Sequence, residues 1–557
     1  MRAVQTQAES RPPWGPLHAA AAGLLLALPA GWLRWCMRAQ YFGHEEEDWG
    51  NLEIVRGILG TKFQFIETEH MPLFTTLSAY ATMAVGDSEA AAEGVAVVMG
   101  ALTVALVTYL GVRWLSPAAG LVAGALVAVQ PEAVLYAASP LRESTFTTFL
   151  LLGIALVGGQ HYGKSAVALS AAFFTRFNAA FTVLPALALQ AWWTRGQERR
   201  DKAALRAAAT TDDERAAVDR TPGLKPSLGA ALAGGALALA TFAWARYYHS
   251  VLDTWVFWGG VMERNTGDAV ADLSGREHAL AIAEAVFGVA FRVLPSHVGW
   301  AVVPLAFVGG AWILKGRARD FENARWLTAN AATTLGLLLA TAFVSTYPSD
   351  HNLYWKWLAP TVPFFALLGA HGAVEGVRSL PLPARLPRRP AIAALAVGLA
   401  VATLWGYRSE TRRQLARSDQ WYGTQIRLCD WIEATVPDAG VLTTGIPTSY
   451  LSRRESPIRT YSWHAEDLPR GQQAAFGRWL VENRIHFLLW MAEDWTGAPE
   501  AAPHLARGRR VEHGPVTLVP IAREDGYGFI AYRVDGIDGQ DPLPDLPPRS
   551  AGGLAER

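Results

Sequence analysis

The sequence predicts an all-α polytopic membrane domain of about eleven transmembrane helices with added juxtamembrane helices, followed by a small C-terminal α/β soluble domain. Three observations carry that expectation. Of 557 residues, 51% are hydrophobic and only 18% are charged, too little charge for the roughly three or four soluble domains that this length would otherwise suit. The charges crowd into a few stretches and leave long apolar runs between them. After about residue 406 those runs stop, and short apolar strands alternate with amphipathic helical stretches.

A helix needs about 20 apolar residues to cross the hydrocarbon core, because an unpaired backbone amide cannot be left in lipid. The first such run is 17–37. It has no small-residue cleavage site and many runs follow it, so it reads as a retained helix. Further runs lie at 91–112, 117–137, 145–160, 165–177, 179–193, 228–246, 297–314, 327–346, 357–374 and 391–407. The stretch 71–85 is short, and 279–295 carries Glu284 and Arg292, which suits a helix lying in the interface.

Orientation follows from where Lys and Arg sit. With the N-terminus inside, the cytoplasmic loops include 194–226, with eight Lys/Arg, and 375–390, with Arg378, Arg385, Arg388 and Arg389. The first outer loop, 39–70, holds seven acids against Arg56 and Lys62. This assignment requires that 71–85 not cross. An odd number of spans puts the C-terminal domain outside. The expected division is a membrane domain over 1–407, an extracytoplasmic α/β domain over 408–538 and a disordered Pro- and Gly-rich tail over 539–557. Helices are expected at 421–434 and 472–483, and strands at 440–444, 485–490 and 529–534.

Some function classes drop out. Forty-nine Lys+Arg balance 49 Asp+Glu, so no global basic field exists to gather nucleic acid. Cys36 and Cys429 are the only cysteines, which excludes a disulfide or CxxC metal framework. The 22 Trp and 15 Tyr suit membrane interfaces or the lining of a sugar cavity.

Four polar clusters fall on the expected outer face. His44 to Arg56 places Glu47 and Asp48 among closely spaced carboxylates, suited to accepting a proton from a hydroxyl or holding a divalent cation. A solvated acidic loop would carry the same charges. Glu67 to Phe74 displays His70 before Pro72, a residue tolerated at a helix start. Ser139 to Thr145 sets Arg142 and Glu143 between two apolar runs, where ionisable groups need a cavity or a partner. Thr346 to Pro360 packs Asp350, His351, Tyr354 and Lys356 into a loop leading to a span, where Lys356 can meet a phosphate or snorkel to the surface.

In this order the clusters resemble those of the glycosyltransferase C superfamily, in particular its family 39-like branch of protein O-mannosyltransferases and lipid A aminoarabinose transferases. EDWGNLEIVRGIL, from Glu47, is similar to that branch's Asp-Glu-x-x-Tyr-x-x-Ile-x-Arg stretch, EHMPLF to its Pro-Pro-Leu segment, LRESTFTTFLLL to its Arg-x-Asp-x-x-Leu-Thr-Phe-Phe run, FFTRFNAA to its Thr-Lys stretch and KWLAPTVPFFALLGA to its Arg-Tyr-x-x-Pro-x-x-Pro run. Glu47 and Glu143 stand where Asp is usual, and Met71 replaces the first Pro.

The resemblance implies transfer of a sugar from a polyprenyl-phosphate donor to a lipid, glycan or protein acceptor on the outer side of the cytoplasmic membrane. It assigns Asp48, Glu47 and Glu143 as catalytic carboxylates, and His70, Arg142, Lys356, Arg56, His351 and Tyr354 as substrate-binding residues. No cofactor is implied by the resemblance, and a divalent metal is compatible with the carboxylates. A secondary transporter or lipid-linked sugar flippase is the alternative, disfavoured because the ionisable residues concentrate in outer loops and no internal repeat is present. A non-catalytic membrane scaffold is the third reading.

Overall fold

The computed structural model describes residues 14–38, 46–62, 71–209, 225–252, 286–344, 359–379, 407–412, 423–443, 456–462, 473–491, 509–524 and 529–537, with isolated positions between them. The chain divides into two compact units, one of residues 1–38 and 57–411, the other of 39–56 and 412–557.

The first unit is helical. Its helices are α1 Pro16–Met37, the end of α2 Glu46–Gly60, α3 Leu73–Val85, α4 Ser88–Leu110, α5 Pro117–Val129, α6 Glu143–Gly158, α7 Tyr162–Thr175, α8 Asn178–Ala208, α9 Lys225–Leu252, α10 Val302–Leu314, α11 Phe321–Val344 and α12 Thr361–Ser379. Among the described residues, two helices are long and apolar enough to cross a membrane, Pro16–Met37 and Ser88–Leu115; Val286–Val298 and Val302–Leu314 make a third candidate, bent by 96° at a break. The protein is a membrane protein. On α1 the residues Leu17, Leu24, Leu25, Leu28 and Trp32 are each more than half exposed, an apolar face that only lipid covers at no cost. Its opposite face, Ala19, Ala22, Gly23, Ala27 and Ala30, is small and buried, and Gly23 sits against the backbone of Ala105 on α4. Small residues let two apolar helices approach closely where lipid removes the hydrophobic drive between them.

Two expected spans are broken, each for a local reason. The run 117–137 ends as α5 at Val129, because Gln130 precedes Pro131 and is pushed to extended backbone (ψ 128°), after which a short helix, Pro131–Leu135, begins. The run 297–314 starts only at Val302, because Gly299 takes φ 113°, reversing the chain after the short helix Leu294–Val298. Helix α8 runs to Ala208, well beyond the expected end at 193 and into the basic stretch.

The second unit contains α13 Thr424–Thr435, α14 Gln473–Glu482 and a six-stranded sheet. Its strands are β1 Gly440–Thr443, β2 Arg459–Ser462, β3 Ile485–Met491, β4 Val511–His513, β5 Val516–Glu524 and β6 Phe529–Asp535, in the order β2-β1-β3-β6-β5-β4. Strand β1 pairs parallel with β2 and β3, and the remaining neighbours are antiparallel. The core joins Phe476, Trp479 and Leu480 of α14 to Leu442, Leu488, Leu518, Ile530 and Tyr532 of the sheet. The expected strands at 440–444, 485–490 and 529–534 are present; β2, β4 and β5 were not expected.

Candidate active-site cavity

Arg34 is fully buried near the C-terminal end of the apolar helix α1. A guanidinium in that setting must find acceptors. Its Nη1 donates to the Ala30 and Ala128 carbonyls at 2.9 and 3.0 Å, and its Nη2 to the Val127 carbonyl at 3.2 Å. Two of these carbonyls lie at the end of α5, where the last turn of a helix leaves acceptors open. Arg34 thus uses the break before Pro131.

Gly100 on α4 makes room for it. A Cβ there would meet Ala137 Cβ at 2.5 Å and Arg34 Nε at 2.9 Å. Gly100→Ala is expected to lower stability by up to about 2 kcal/mol, an overpacking penalty of about 1–3 kcal/mol less the roughly 1 kcal/mol that Ala gains over Gly in a helix. Thermal unfolding in detergent measures it, and an unchanged midpoint would mean that Arg34 and the 137 backbone yield freely.

Beside Arg34 lies a cavity of about 30 Å³, room for a water or two, lined also by Thr103, Gln130, Glu132, Tyr136 and Glu143. Glu143 opens α6, where a carboxylate is favoured by the helix N-terminus, and is buried. Its Oε1 lies 2.6 Å from Nη2 of Arg176, the residue that ends α7. Arg142, the N-cap residue of α6, is buried next to it.

Glu132 faces a second set of groups. Its carboxylate accepts from the Gln130 amide and meets the imidazole Nδ1 of His297, and the Gln130 amide also donates to the His297 carbonyl at 3.1 Å. The two broken spans therefore pin each other through polar side chains. Glu410 joins them: one ligand atom each from Glu132, His297 and Glu410 lie within 4.8 Å of one another. Two carboxylates and an imidazole are a donor set suited to a divalent ion such as zinc. The sequence reading assigned no metal ligand.

Of the residues expected from sequence, the structure brings Glu143 to the cavity and buries Arg142 beside it. Arg56 lies on α2, half-buried, within the second unit. Glu47 and Asp48 fall in the first turn of the same helix, and their side chains lie outside the described residues. His70, His351, Tyr354 and Lys356 also lie outside the described residues. Sequence reasoning passed over Arg34, Glu132, His297 and Arg176. The first three had a signal, since each is an ionisable residue inside an apolar run.

No protein-family model matches the sequence, and no curated protein matches it. Solved structures do match in fold. ArnT, the aminoarabinose transferase from Cupriavidus metallidurans, in its apo state aligns with 91% of this chain and 97% of its own at a TM-score of 0.54 and 13% identity. The chain has the glycosyltransferase C fold. The same ArnT bound to undecaprenyl phosphate aligns over 91% and 97% of the two chains at a TM-score of 0.51 and 12% identity. The Archaeoglobus fulgidus oligosaccharyltransferase tethered with an acceptor peptide aligns over 87% of this chain and 70% of its own, at a TM-score of 0.47 and 10% identity. The two ArnT structures carry the fold likeness, where sequence matching finds nothing.

Proposed function

We propose that the protein is an integral membrane glycosyltransferase that moves a sugar from a polyprenyl-phosphate donor to an acceptor on the outer side of the cytoplasmic membrane. The observation that carries this reading is the cavity within a glycosyltransferase C fold, where Glu143, paired to Arg176, and Arg34 lie on apolar helices. Ionisable groups on such helices are rare even when paired, and they mark substrate pathways. ArnT, which shares the fold, is solved with undecaprenyl phosphate.

The chemistry is one displacement. A carboxylate, Asp48 or Glu47, takes the acceptor hydroxyl proton as the acceptor oxygen bonds to the anomeric carbon. The bond from that carbon to the phosphate oxygen breaks, and the leaving polyprenyl phosphate keeps the electron pair. Lys356, His70 and Arg142 stabilise the charge growing on the phosphate, and Glu143 with Arg176 shapes the polar wall beside it. Arg56, His351 and Tyr354 are assigned to substrate binding. The acceptor is a lipid, glycan or protein, and the domain over 408–538 is assigned to the outer side of the membrane. No observation in the structure favours the flippase alternative.

Mass spectrometry of polyprenyl-linked sugars and envelope glycans, with and without the protein, tests this function. A carrier-bound sugar should accumulate in its absence while one glycan loses that sugar. Unchanged carrier and glycan pools would reject transfer. Orientation is tested separately by reporter fusions after Gln197 and Gly440, expected to report inside and outside respectively; the same side for both would overturn the odd span count.

A further inference from the structure

Several helices of the first unit run from the cavity to a second concavity. On α12, Val362 and Pro363 line the cavity, whereas Glu375, Arg378 and Ser379 line the other. At 1.5 Å per residue, Val362 and Arg378 are about 24 Å apart along the axis, most of the roughly 30 Å thickness of a hydrocarbon core. Helix α5 repeats the relation, with Val127 at the cavity and Pro117 at the second concavity. So does α1, which carries Arg34 at one end, while at its other end the Trp14 carbonyl accepts from Arg319 Nη2 at 3.1 Å. The second concavity therefore belongs to the opposite membrane face.

It measures about 570 Å³, within the range of small-molecule sites. Arg317, Arg319 and Arg378 line it against one carboxylate, Glu375, which leaves the lining positive. Arg319 is held by the Val112 and Trp14 carbonyls, both at 3.1 Å, and Arg378 pairs with Glu375. Partial burial, and then the neighbouring Arg113, hold the Arg319 guanidinium below its ordinary pKa, with Asp320 opposing them. Ser116 closes the N-terminus of α5 beside it, its hydroxyl accepting from the Ala119 amide at 3.2 Å, so the phosphate is left to the arginines. An apolar surface leads away from the rim: Leu314, three residues before Arg317, is 52% exposed, and Phe307, two turns back on α10, is 59% exposed.

Arginines meeting at a membrane face beside an open apolar helix side match a phosphate with acyl chains attached. We propose that this concavity binds the phosphate headgroup of an anionic phospholipid in the leaflet opposite the cavity. The guanidinium of Arg317, exposed, and that of Arg378 clamp the phosphate, while Arg319 keeps the rim in shape and the acyl chains lie along α10. The site is separate from the transfer reaction and does not rest on it.

The test uses the full chain purified from membranes and reconstituted in phosphatidylcholine vesicles with and without cardiolipin. Cardiolipin should raise the thermal midpoint of the wild type and remain bound in native mass spectrometry. Arg317→Glu with Arg378→Glu should weaken that retention roughly tenfold or more, and Arg317→Gln with Arg378→Gln, which adds no repulsion to Glu375, should fall between. Retention of cardiolipin by both double variants at the wild-type level would overturn the site. So would a wild type that keeps cardiolipin no better than phosphatidylcholine. Inorganic pyrophosphate forms the second arm: protection by pyrophosphate alone, with no lipid retained, would overturn the lipid assignment in favour of a soluble phosphate.

Discussion

Replacing Glu143 by Leu alone is expected to destabilise the protein by about 3–5 kcal/mol, because it strands the Arg176 guanidinium in a largely buried position without its carboxylate. Replacing the two together, Glu143→Leu with Arg176→Met, should return most of that stability, since an apolar pair of similar volume substitutes for a buried ion pair at little net cost. Sugar transfer should stay lost in both. Thermal unfolding and turnover, measured on the same preparations, separate the two roles of the pair. A double variant that folds and transfers at the wild-type rate would reduce the ion pair to packing. Glu143→Asp supplies the rescue control, because the related branch carries Asp at this position and the shorter carboxylate keeps the charge.

The second large effect concerns the first turn of α2. Changing Asp48 to Asn and Glu47 to Gln removes both carboxylates proposed as the general base with little change of shape, and transfer is expected to fall by about 10²–10⁴-fold, the usual worth of a general base. Membrane insertion and the thermal midpoint should be unchanged, because these residues lie outside the apolar runs. The single variants then identify the base: one should carry nearly the whole loss and the other little. Turnover retained in the double variant would remove both residues from the mechanism.

Much of this fold is legible in the sequence because lipid imposes a simple rule: apolar runs become helices, and charge marks where they end. The runs beginning at 17, 145, 165 and 327 reappear as helices within a few residues. What hydropathy does not read is backbone geometry inside a run. Pro117 to Ala137 is interrupted by Gln130-Pro131, and His297 to Leu314 by Gly299, and neither break changes the mean apolarity. Those breaks are where the polar side chains of Gln130, Glu132 and His297 find partners. Glu143 was legible because it stands between two runs; Arg34, a charge inside one, carried a signal too, but near the end of a run it reads equally as a basic residue that stops the span. Arg176 was quoted as part of a motif yet given no role, since its contact with Glu143 spans 33 residues and no local pattern announces it. The edge strands β2 and β4 escaped because three or four residues carry too little periodicity to read.

The central claim is that a carrier lipid loses its sugar beside the Glu143–Arg176 pair. The direct measurement is transfer by the purified protein in vesicles loaded with the polyprenyl-linked sugars of its own membrane, followed as release of free polyprenyl phosphate. Wild type should release it in step with glycosylation of the acceptor, and the Glu143→Leu/Arg176→Met protein, folded to the same midpoint, should release none. Equal release by the two proteins, or carriers that cross the bilayer with their sugars still attached, would contradict the account.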